Sequence, residues 1–262
     1  MVVVDLSGQK SPPSIRLIGT QLTLFSQAEL LSTVSRWIRD GGKAMVLSGN
    51  IHSFNLAYRE PWLRTFMNRA SVVRLDGEGL KLGAKILGID TPPRMTWADL
   101  AWDLARLCQR QGFTLFFVGS RPGVADKAAA RLKEEFSDLR IVGIHHGYFD
   151  QTSGSPENNA VISEINTARP NILIVGFGMP LQEHWLMENW DRIQVDVAFT
   201  GGAVFDYVSG ELRRPPRWMT RNGLEWLGRL VIDPQRLWRR YLIGNPLFLW
   251  RVLKQRIGLL DL

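Results

Sequence analysis

Short apolar runs alternate with helical patterns along most of the chain. Between the runs, apolar residues recur at helical spacing, with Thr96 suited to cap one helix and Pro122 to open the next. Strands that alternate with helices predict a parallel, Rossmann-like α/β sheet covered by helices on both faces. Six runs are typical of buried strands: residues 44–47, 72–75, 114–118, 141–144, 172–175 and 195–199.

The pattern changes after Gly210, where the strand signal stops. Helical stretches follow at residues 223–232, 234–242 and 245–260, with a break expected at Asn245 and Pro246. The first residues contain breakers and predict a loose segment. We therefore divide the chain into three parts: a flexible lead at residues 1–14, an α/β core at 15–211 and a basic helical appendage at 212–262.

The positive charge of the chain is concentrated in the appendage. The whole chain carries a net charge of +7, and residues 212–262 alone hold eleven basic and three acidic residues. Four of the ten tryptophans lie in the same segment. Basic residues mixed with tryptophan and leucine suit a surface that is both anionic and partly apolar, so we predict that the appendage docks on a membrane.

Several classes of protein are excluded or disfavoured by composition. A single cysteine excludes a disulfide framework, and four histidines without ligand spacing leave little for a metal. No stretch of eighteen consecutive apolar residues is present, and the first residues lack the pattern of a secretory signal. We expect a cytoplasmic protein without a spanning helix.

Glycines follow nearly every predicted strand, where a parallel sheet binds its ligands. This pattern favours a nucleotide-type ligand, because glycine lets backbone N–H groups approach a phosphate closely. Asp76 follows one strand and is a candidate general base, although an acid there equally suits a helix cap at residues 79–87. The glycines at 77–83 loosely match a dinucleotide fingerprint, but Asp76 and Glu78 would repel a pyrophosphate.

Four motifs in this order resemble the WecG/TagA/CpsF glycosyltransferases: DGEG at 76–79, GFGMPLQEHW at 176–185, GGAVFD at 201–206 and GLEW at 223–226. The resemblance spans residues 20–245. It implies an inverting, metal-independent enzyme without a cofactor, which transfers a sugar from a UDP-sugar to a polyprenyl-diphosphate-linked saccharide. It also implies attachment to the inner face of the cytoplasmic membrane and a role in exopolysaccharide or cell-surface polysaccharide synthesis.

The resemblance assigns roles to eight residues. Asp76 matches the proposed catalytic base of the family. The remaining matches are substrate-binding residues: Ser48, Asn50, Arg94, Gln182, Arg229, Arg236 and Arg239. Of these, the three arginines of the appendage would reach the donor diphosphate.

The residues are chemically suited to these roles. Sugar transfer from UDP needs a base for the acceptor hydroxyl and cations for the departing diphosphate, and the chain contains no Asp-x-Asp metal motif. Arginine can bind phosphate oxygens with two parallel hydrogen bonds. Arg229, Arg236 and Arg239 would share one face of a continuous helix. The alternatives are a bend of the chain at Asp233 and Pro234, and a solvated basic face without a binding role.

Two functions from other classes stay open at the level of sequence. A dinucleotide-dependent oxidoreductase would use the glycines at 77–83. A non-catalytic nucleic-acid-binding module would use the basic appendage, and a pI near 9.9 is compatible with it. We expect no nucleic-acid partner, because no recognised nucleic-acid motif is present. Self-association is compatible with the family resemblance, and the sequence decides neither this nor the donor sugar.

Overall fold

A computed structural model describes residues 13–221 and 223–260. Within these ranges the strands are β1 (Ser14–Leu17), β2 (Thr20–Thr23), β3 (Ala44–Gly49), β4 (Val72–Leu75), β5 (Thr114–Gly119), β6 (Arg140–His145), β7 (Ile172–Gly176) and β8 (Val197–Thr200). The α-helices there are α1 (Gln27–Arg39), α2 (Ile51–Arg59), α3 (Pro61–Arg69), α4 (Glu78–Ile86), α5 (Trp97–Gln111), α6 (Val124–Glu135), α7 (Pro156–Ala168), α8 (Leu181–Asn189), α9 (Val204–Ser209), α10 (Arg217–Arg221), α11 (Glu225–Ile232), α12 (Pro234–Trp238) and α13 (Gly244–Arg256).

The central element is a six-stranded sheet in the order β4-β3-β8-β7-β5-β6. The neighbouring strands β3 and β8, β8 and β7, β7 and β5, and β5 and β6 all run parallel. Strands β3, β5, β7 and β8 are buried along their whole length, whereas the edge strand β6 is partly exposed. The predicted parallel α/β sheet is therefore confirmed, and each of the six predicted apolar runs contributes one strand.

A small hairpin of β1 and β2 precedes this sheet, and the sequence pattern did not predict it. Its turn is formed by Ile18 and Gly19, which both have positive φ angles of 42° and 81°. Such a turn usually carries asparagine or aspartate before glycine, so an isoleucine gives no turn signal. Ser14 belongs to β1, although we predicted it within the flexible lead; residues 1–12 of that lead lie outside the described residues.

The chain forms two compact units. Unit 1 contains residues 13–30, 47–95 and 217–260 of the described chain, and unit 2 contains residues 31–46 and 96–216. Residues 217–260 of the segment predicted as an appendage thus share unit 1 with residues of the predicted core, whereas residues 212–216 belong to unit 2. A segment of this length buries too little apolar surface to form a core of its own.

Within unit 1, helix α13 packs closely against α4. Phe248 and Val252 of α13 are fully buried, and a Cβ added to Gly83 would lie 2.8 Å from Cζ of Phe248. The absence of a side chain at Gly83 therefore permits the close approach of the two helices. The Asn55 side chain of α2 also donates a hydrogen bond of 2.7 Å to the carbonyl oxygen of Gly244.

The helical break predicted at Asn245 and Pro246 is wrong. Both residues lie within α13, which continues the helical backbone of the preceding segment without an interruption. The irregularity comes earlier, as a π-helical segment at Arg239–Ile243 in which the Gly244 N–H bonds to the carbonyl oxygen of Arg239. The wider turn accommodates the proline ring that follows.

Unit 2 contains the buried middle of the sheet and its covering helices. Trp97 of α5 packs edge-on against Phe199 of β8 with ring centroids 5.6 Å apart, and its indole N–H bonds to the Thr200 carbonyl oxygen. The single cysteine, Cys108, is buried in α5, and burial raises the pKa of its thiol to about 12. This thiol is a packing group and stays protonated at neutral pH.

Candidate active site

Asp76 stands at the junction of β4 and α4 in unit 1. Its backbone N–H donates a hydrogen bond of 2.8 Å to the Gly49 carbonyl oxygen, which extends the pairing of β4 and β3 by one residue. Gly77 then adopts a φ of 132°, a conformation that residues with a side chain rarely reach, and helix α4 begins at Glu78. The Asp76 side chain is 22% exposed, so solvent reaches a carboxylate that is otherwise held by protein.

Arg74 is the buried neighbour of this carboxylate, and we did not predict it as a site residue. Its side chain is 0% exposed, and one of its nitrogens lies 3.4 Å from Asp76 Oδ2 and 2.6 Å from Ser48 Oγ. The other terminal nitrogen donates to the Met95 carbonyl oxygen. Burial lowers the pKa of the Arg74 guanidinium, and the negative charge of Asp76 opposes that effect. The sequence signal that could have identified Arg74 is its position as a charged residue within the apolar run at residues 72–75.

Ser48 and Asn50 lie at the end of β3, on either side of Gly49. The Ser48 hydroxyl is buried and accepts the hydrogen bond from Arg74. Asn50 caps helix α2: its Oδ1 accepts from the Ser53 backbone N–H at 3.1 Å, and the Ser53 hydroxyl accepts from the Asn50 backbone N–H at 2.9 Å. The structure thus brings these two predicted residues to the strand ends beside Asp76.

Arg94 bridges α4 and the C-terminal helices within unit 1. Its Nε lies 3.1 Å from a Glu78 carboxylate oxygen, and its Nη1 donates to Glu225 Oε2 at 2.5 Å. Its Nη2 donates to the Thr220 carbonyl oxygen at 2.9 Å. We predicted Arg94 as a substrate-binding residue. Its guanidinium contacts two carboxylates and so bridges α4 and α11. Its substrate-binding role stays a prediction, and Glu225 of the GLEW motif is the partner that sequence reasoning missed.

The three arginines predicted to bind the donor diphosphate do not share one continuous helix. Arg229 lies in α11, which ends at Ile232, and α12 begins anew at Pro234 because the residue before a proline is disfavoured in helical conformation. Arg239 lies in the π-helical segment, is exposed, and has its guanidinium 5.2 Å from the ring centre of Trp238. The backbone of Arg236 belongs to α12, and its side chain lies outside the described residues.

His52 of α2 lies in a positively charged environment. Burial, together with the nearby charges of Arg240 and Arg59, lowers its pKa from 6.5 to about 4. The imidazole is therefore neutral at physiological pH. Arg251 adds to the positive charge along this helix, since its guanidinium lies 4.0 Å from the Tyr58 ring centre and donates to Asn55 Oδ1 at 2.7 Å. This part of unit 1 is electrostatically suited to an anion.

Gln182 is the one predicted site residue that belongs to unit 2. It is fully buried in the first turn of α8, where its Oε1 accepts from the Gly202 N–H at 2.9 Å and its Nε2 donates to Glu183 Oε1 at 2.7 Å. The hydrogen bond to Gly202 joins two of the four sequence motifs. Glu183 was not predicted as a site residue. Burial raises the pKa of its carboxyl to about 7.

Neither metal-binding clusters nor spanning helices occur in residues 13–221 and 223–260. No group of three or more His, Cys, Asp or Glu side chains in these ranges is arranged to hold a metal ion. No helix there has the length and apolar character required to cross a bilayer.

The sequence profile of the Glycosyl transferase WecG/TagA/CpsF family matches residues 15–261. A relative from Bacillus spizizenii, named N-acetylglucosaminyldiphosphoundecaprenol N-acetyl-beta-D-mannosaminyltransferase, is 27% identical over 88% of both chains. Relatives of the same name from Bacillus subtilis and Staphylococcus aureus are 25% and 24% identical, over 72% and 80% of this chain and 71% and 80% of their own lengths. The chain therefore belongs to the WecG/TagA/CpsF family and is a glycosyltransferase.

Proposed function

We propose that the enzyme transfers a sugar from a UDP-sugar to a polyprenyl-diphosphate-linked saccharide with inversion at the anomeric carbon. The observation that carries this proposal is the placement of Asp76: a partly exposed carboxylate at the end of β4, held by a buried arginine. The family membership supplies the reaction class, and Asp76 lies in one of the motifs on which the resemblance rests.

The proposed chemistry is a single displacement. Asp76 accepts the proton of the acceptor hydroxyl while the hydroxyl oxygen attacks the anomeric carbon, and the bond from that carbon to the diphosphate oxygen of UDP breaks. Attack from the side opposite the leaving group inverts the anomeric centre. An α-linked nucleotide sugar would thus yield a β linkage, which is the linkage in the relatives' name.

The C-terminal arginines would stabilise the departing UDP. Arg229 and Arg239 lie on helical segments of unit 1, and Arg236 belongs to the helix between them. Guanidinium groups can neutralise a diphosphate through paired hydrogen bonds. Their placement in the same unit as Asp76 supports this role.

The relatives' name also suggests the first substrates to test. It describes the transfer of N-acetylmannosamine to an acceptor that carries N-acetylglucosamine on a diphosphoundecaprenol. We propose the same acceptor class here, with the donor sugar to be decided by experiment among N-acetylmannosamine, its uronic acid and glucose.

Turnover by the full-length protein would test this function. UDP-N-acetylmannosamine, its uronic acid analogue and UDP-glucose are each incubated with a short-chain polyprenyl-diphosphate N-acetylglucosamine. Release of UDP that depends on acceptor, with a β-linked product identified by NMR, supports the proposal. Absence of acceptor-dependent UDP release with all three donors contradicts it for these sugars, and an α-linked product contradicts the single displacement.

We further propose that the C-terminal segment attaches the enzyme to the inner face of the cytoplasmic membrane. Helix α13 has two apolar faces, because Phe248 and Val252 pack inward while Leu247, Trp250 and Leu253 are exposed. Further exposed apolar side chains in this segment are Val231, Ile232, Trp238, Leu242, Ile243, Ile257 and Leu259.

Positive charge accompanies this exposed surface. Lys254 lies 5.4 Å from the Trp250 ring centre, and Arg239 is exposed on the preceding segment. A basic side chain near an anionic bilayer contributes about 1 kcal/mol to binding, and buried tryptophan and leucine side chains add to it. A lipid-linked acceptor stays in the bilayer, so an enzyme that binds the bilayer meets it there.

A further inference from the structure

Arg74 is fully buried, yet three polar groups of the candidate active site surround its guanidinium. Its Nη2 lies 2.6 Å from Ser48 Oγ and 3.4 Å from Asp76 Oδ2, and its Nη1 donates to the Met95 carbonyl oxygen. A buried guanidinium is costly unless it is paired and hydrogen-bonded. One partner of the Arg74 guanidinium is Asp76, the carboxylate that we propose as the catalytic base.

The arrangement follows from the strand geometry. Residues two apart on a strand point to the same face, so Arg74 of β4 and Asp76 just beyond its end lie on one side. Asp76 continues the pairing with β3 through its hydrogen bond to Gly49, and Ser48 precedes that glycine. The paired strands β3 and β4 therefore hold the Ser48 hydroxyl, the Arg74 guanidinium and the Asp76 carboxylate next to one another.

The exposure of the two charged side chains differs, and this difference separates their roles. Asp76 is 22% exposed and can meet a substrate, whereas Arg74 is 0% exposed and cannot. Of the two carboxylate oxygens of Asp76, Oδ2 is the one that lies 3.4 Å from Nη2 of Arg74.

We propose that Arg74 is a positioning residue that anchors Asp76 through Oδ2 and turns Oδ1 toward the acceptor hydroxyl. The proposal rests on the proposed function, because it assumes that Asp76 is the base. Ser48 then contributes by fixing the guanidinium, which differs from the direct substrate contact that we predicted for it.

The variant Arg74→Lys tests this role in the full-length enzyme. Lysine keeps the charge but lacks the planar fork that reaches two acceptors at once. We expect kcat to fall about 10- to 100-fold with KM for the UDP-sugar within about two-fold, since small displacements of a reacting group are costly. The control is Arg106→Lys, which alters an arginine of unit 2 that contacts Asp103 and Phe136 and lies outside the candidate active site. The control should leave kcat within about two-fold.

A double-mutant cycle separates positioning from general damage to the fold. Asp76→Glu keeps a carboxylate and therefore a measurable rate. If Arg74 acts through Asp76, the effects of Arg74→Lys and Asp76→Glu on kcat are not multiplicative, and the double variant is about as slow as Asp76→Glu alone. Multiplicative effects would overturn the proposal.

Ser48→Ala provides a second variant should Arg74→Lys fail to fold. It removes one anchor of the guanidinium, so we expect a smaller fall in kcat, about three- to ten-fold, with KM unchanged. A rise in KM at constant kcat would show that Ser48 binds substrate directly and would overturn the proposed arrangement.

The variant Asp76→Asn separates failure of the positioning role from failure of the proposed function. If Asp76→Asn turns over at the wild-type rate, the proposed function itself fails. If Asp76→Asn is inactive while folded Arg74→Lys keeps its kcat, only the positioning role fails.

Discussion

Arg94 and Glu225 form an ion pair with 2.5 Å between Nη1 and Oε2, and this pair joins the loop after α4 to helix α11. The side chains are only 14% and 12% exposed. On its other side Arg94 contacts Glu78, the first residue of the helix that follows Asp76. One arginine thus connects the start of α4 with the basic C-terminal helices, which are far away in sequence.

Loss of this pair should destabilise unit 1. In Glu225→Gln, Arg94 keeps Glu78 and Thr220 but loses a shielded charge-assisted hydrogen bond, for which we expect a fall of about 1–3 kcal/mol in the free energy of unfolding. Urea denaturation monitored by tryptophan fluorescence measures it. The control is Asp103→Asn, which breaks the more exposed Asp103–Arg106 pair and should cost less than about 0.5 kcal/mol. Equal losses in both variants would contradict the importance of the Arg94 bridge.

Asp76→Asn should keep the fold and abolish most of the transfer activity. An amide cannot accept the acceptor proton, so we expect kcat to fall about 100- to 10,000-fold. Initial rates of UDP release measure the loss, and a melting temperature near that of the wild type shows an intact fold. Asp90→Asn, which alters an exposed aspartate, should leave the rate unchanged. Wild-type turnover of Asp76→Asn would remove Asp76 as the base.

The buried carboxyl of Glu183 should make stability depend on pH. Burial raises its pKa in the folded protein from 4.5 to about 7. Between these two values the folded protein retains a proton that the unfolded chain releases, so the free energy of unfolding falls as pH rises through this window. The loss is at most about 3 kcal/mol and is complete above pH 7.

Glu183→Gln removes this titration. We expect the variant to lack the fall between pH 4.5 and 7 that Glu183 causes, and to be more stable than the wild type at pH 8. Urea denaturation at a series of pH values measures the free energies, and Glu164→Gln, which alters an exposed residue, should retain the wild-type pH dependence. Identical pH curves for Glu183→Gln and the wild type would contradict the raised pKa.

Acidic residues on the exposed face of α13 should weaken membrane binding. In the double variant Trp250→Glu/Leu253→Glu, charge replaces apolar contact and repels anionic lipid, so we expect at least about a ten-fold loss of affinity. Sedimentation with vesicles of phosphatidylglycerol and phosphatidylethanolamine measures it. Met187→Glu, on an exposed position of α8 in unit 2, is the control and should bind like the wild type. Unchanged sedimentation of the double variant would exclude this face as the docking surface.

The sheet could be predicted from sequence, whereas parts of unit 1 could not. Each of the six apolar runs overlaps one strand because buried parallel strands need continuous apolar residues, which is a local property of the chain. The hairpin turn at Ile18 and Gly19 lacked turn chemistry, and the π-helical segment before α13 has no simple sequence signal. The C-terminal arginines do not share one continuous helix, because Pro234 starts a new helix at the position where the sequence left a bend open.

The sequence by itself determined the strand order along the chain, the position of Asp76 after β4, the basic character of the last fifty residues and the motifs that identify the family. Only the tertiary structure decided that Arg74 contacts Asp76 and Ser48, that Glu78 and Glu225 hold Arg94, and that the C-terminal helices share a unit with residues 47–95. The reason is physical: periodicity and turn chemistry act over a few residues, whereas the partner of a buried charge is chosen by packing between segments that are distant in the chain.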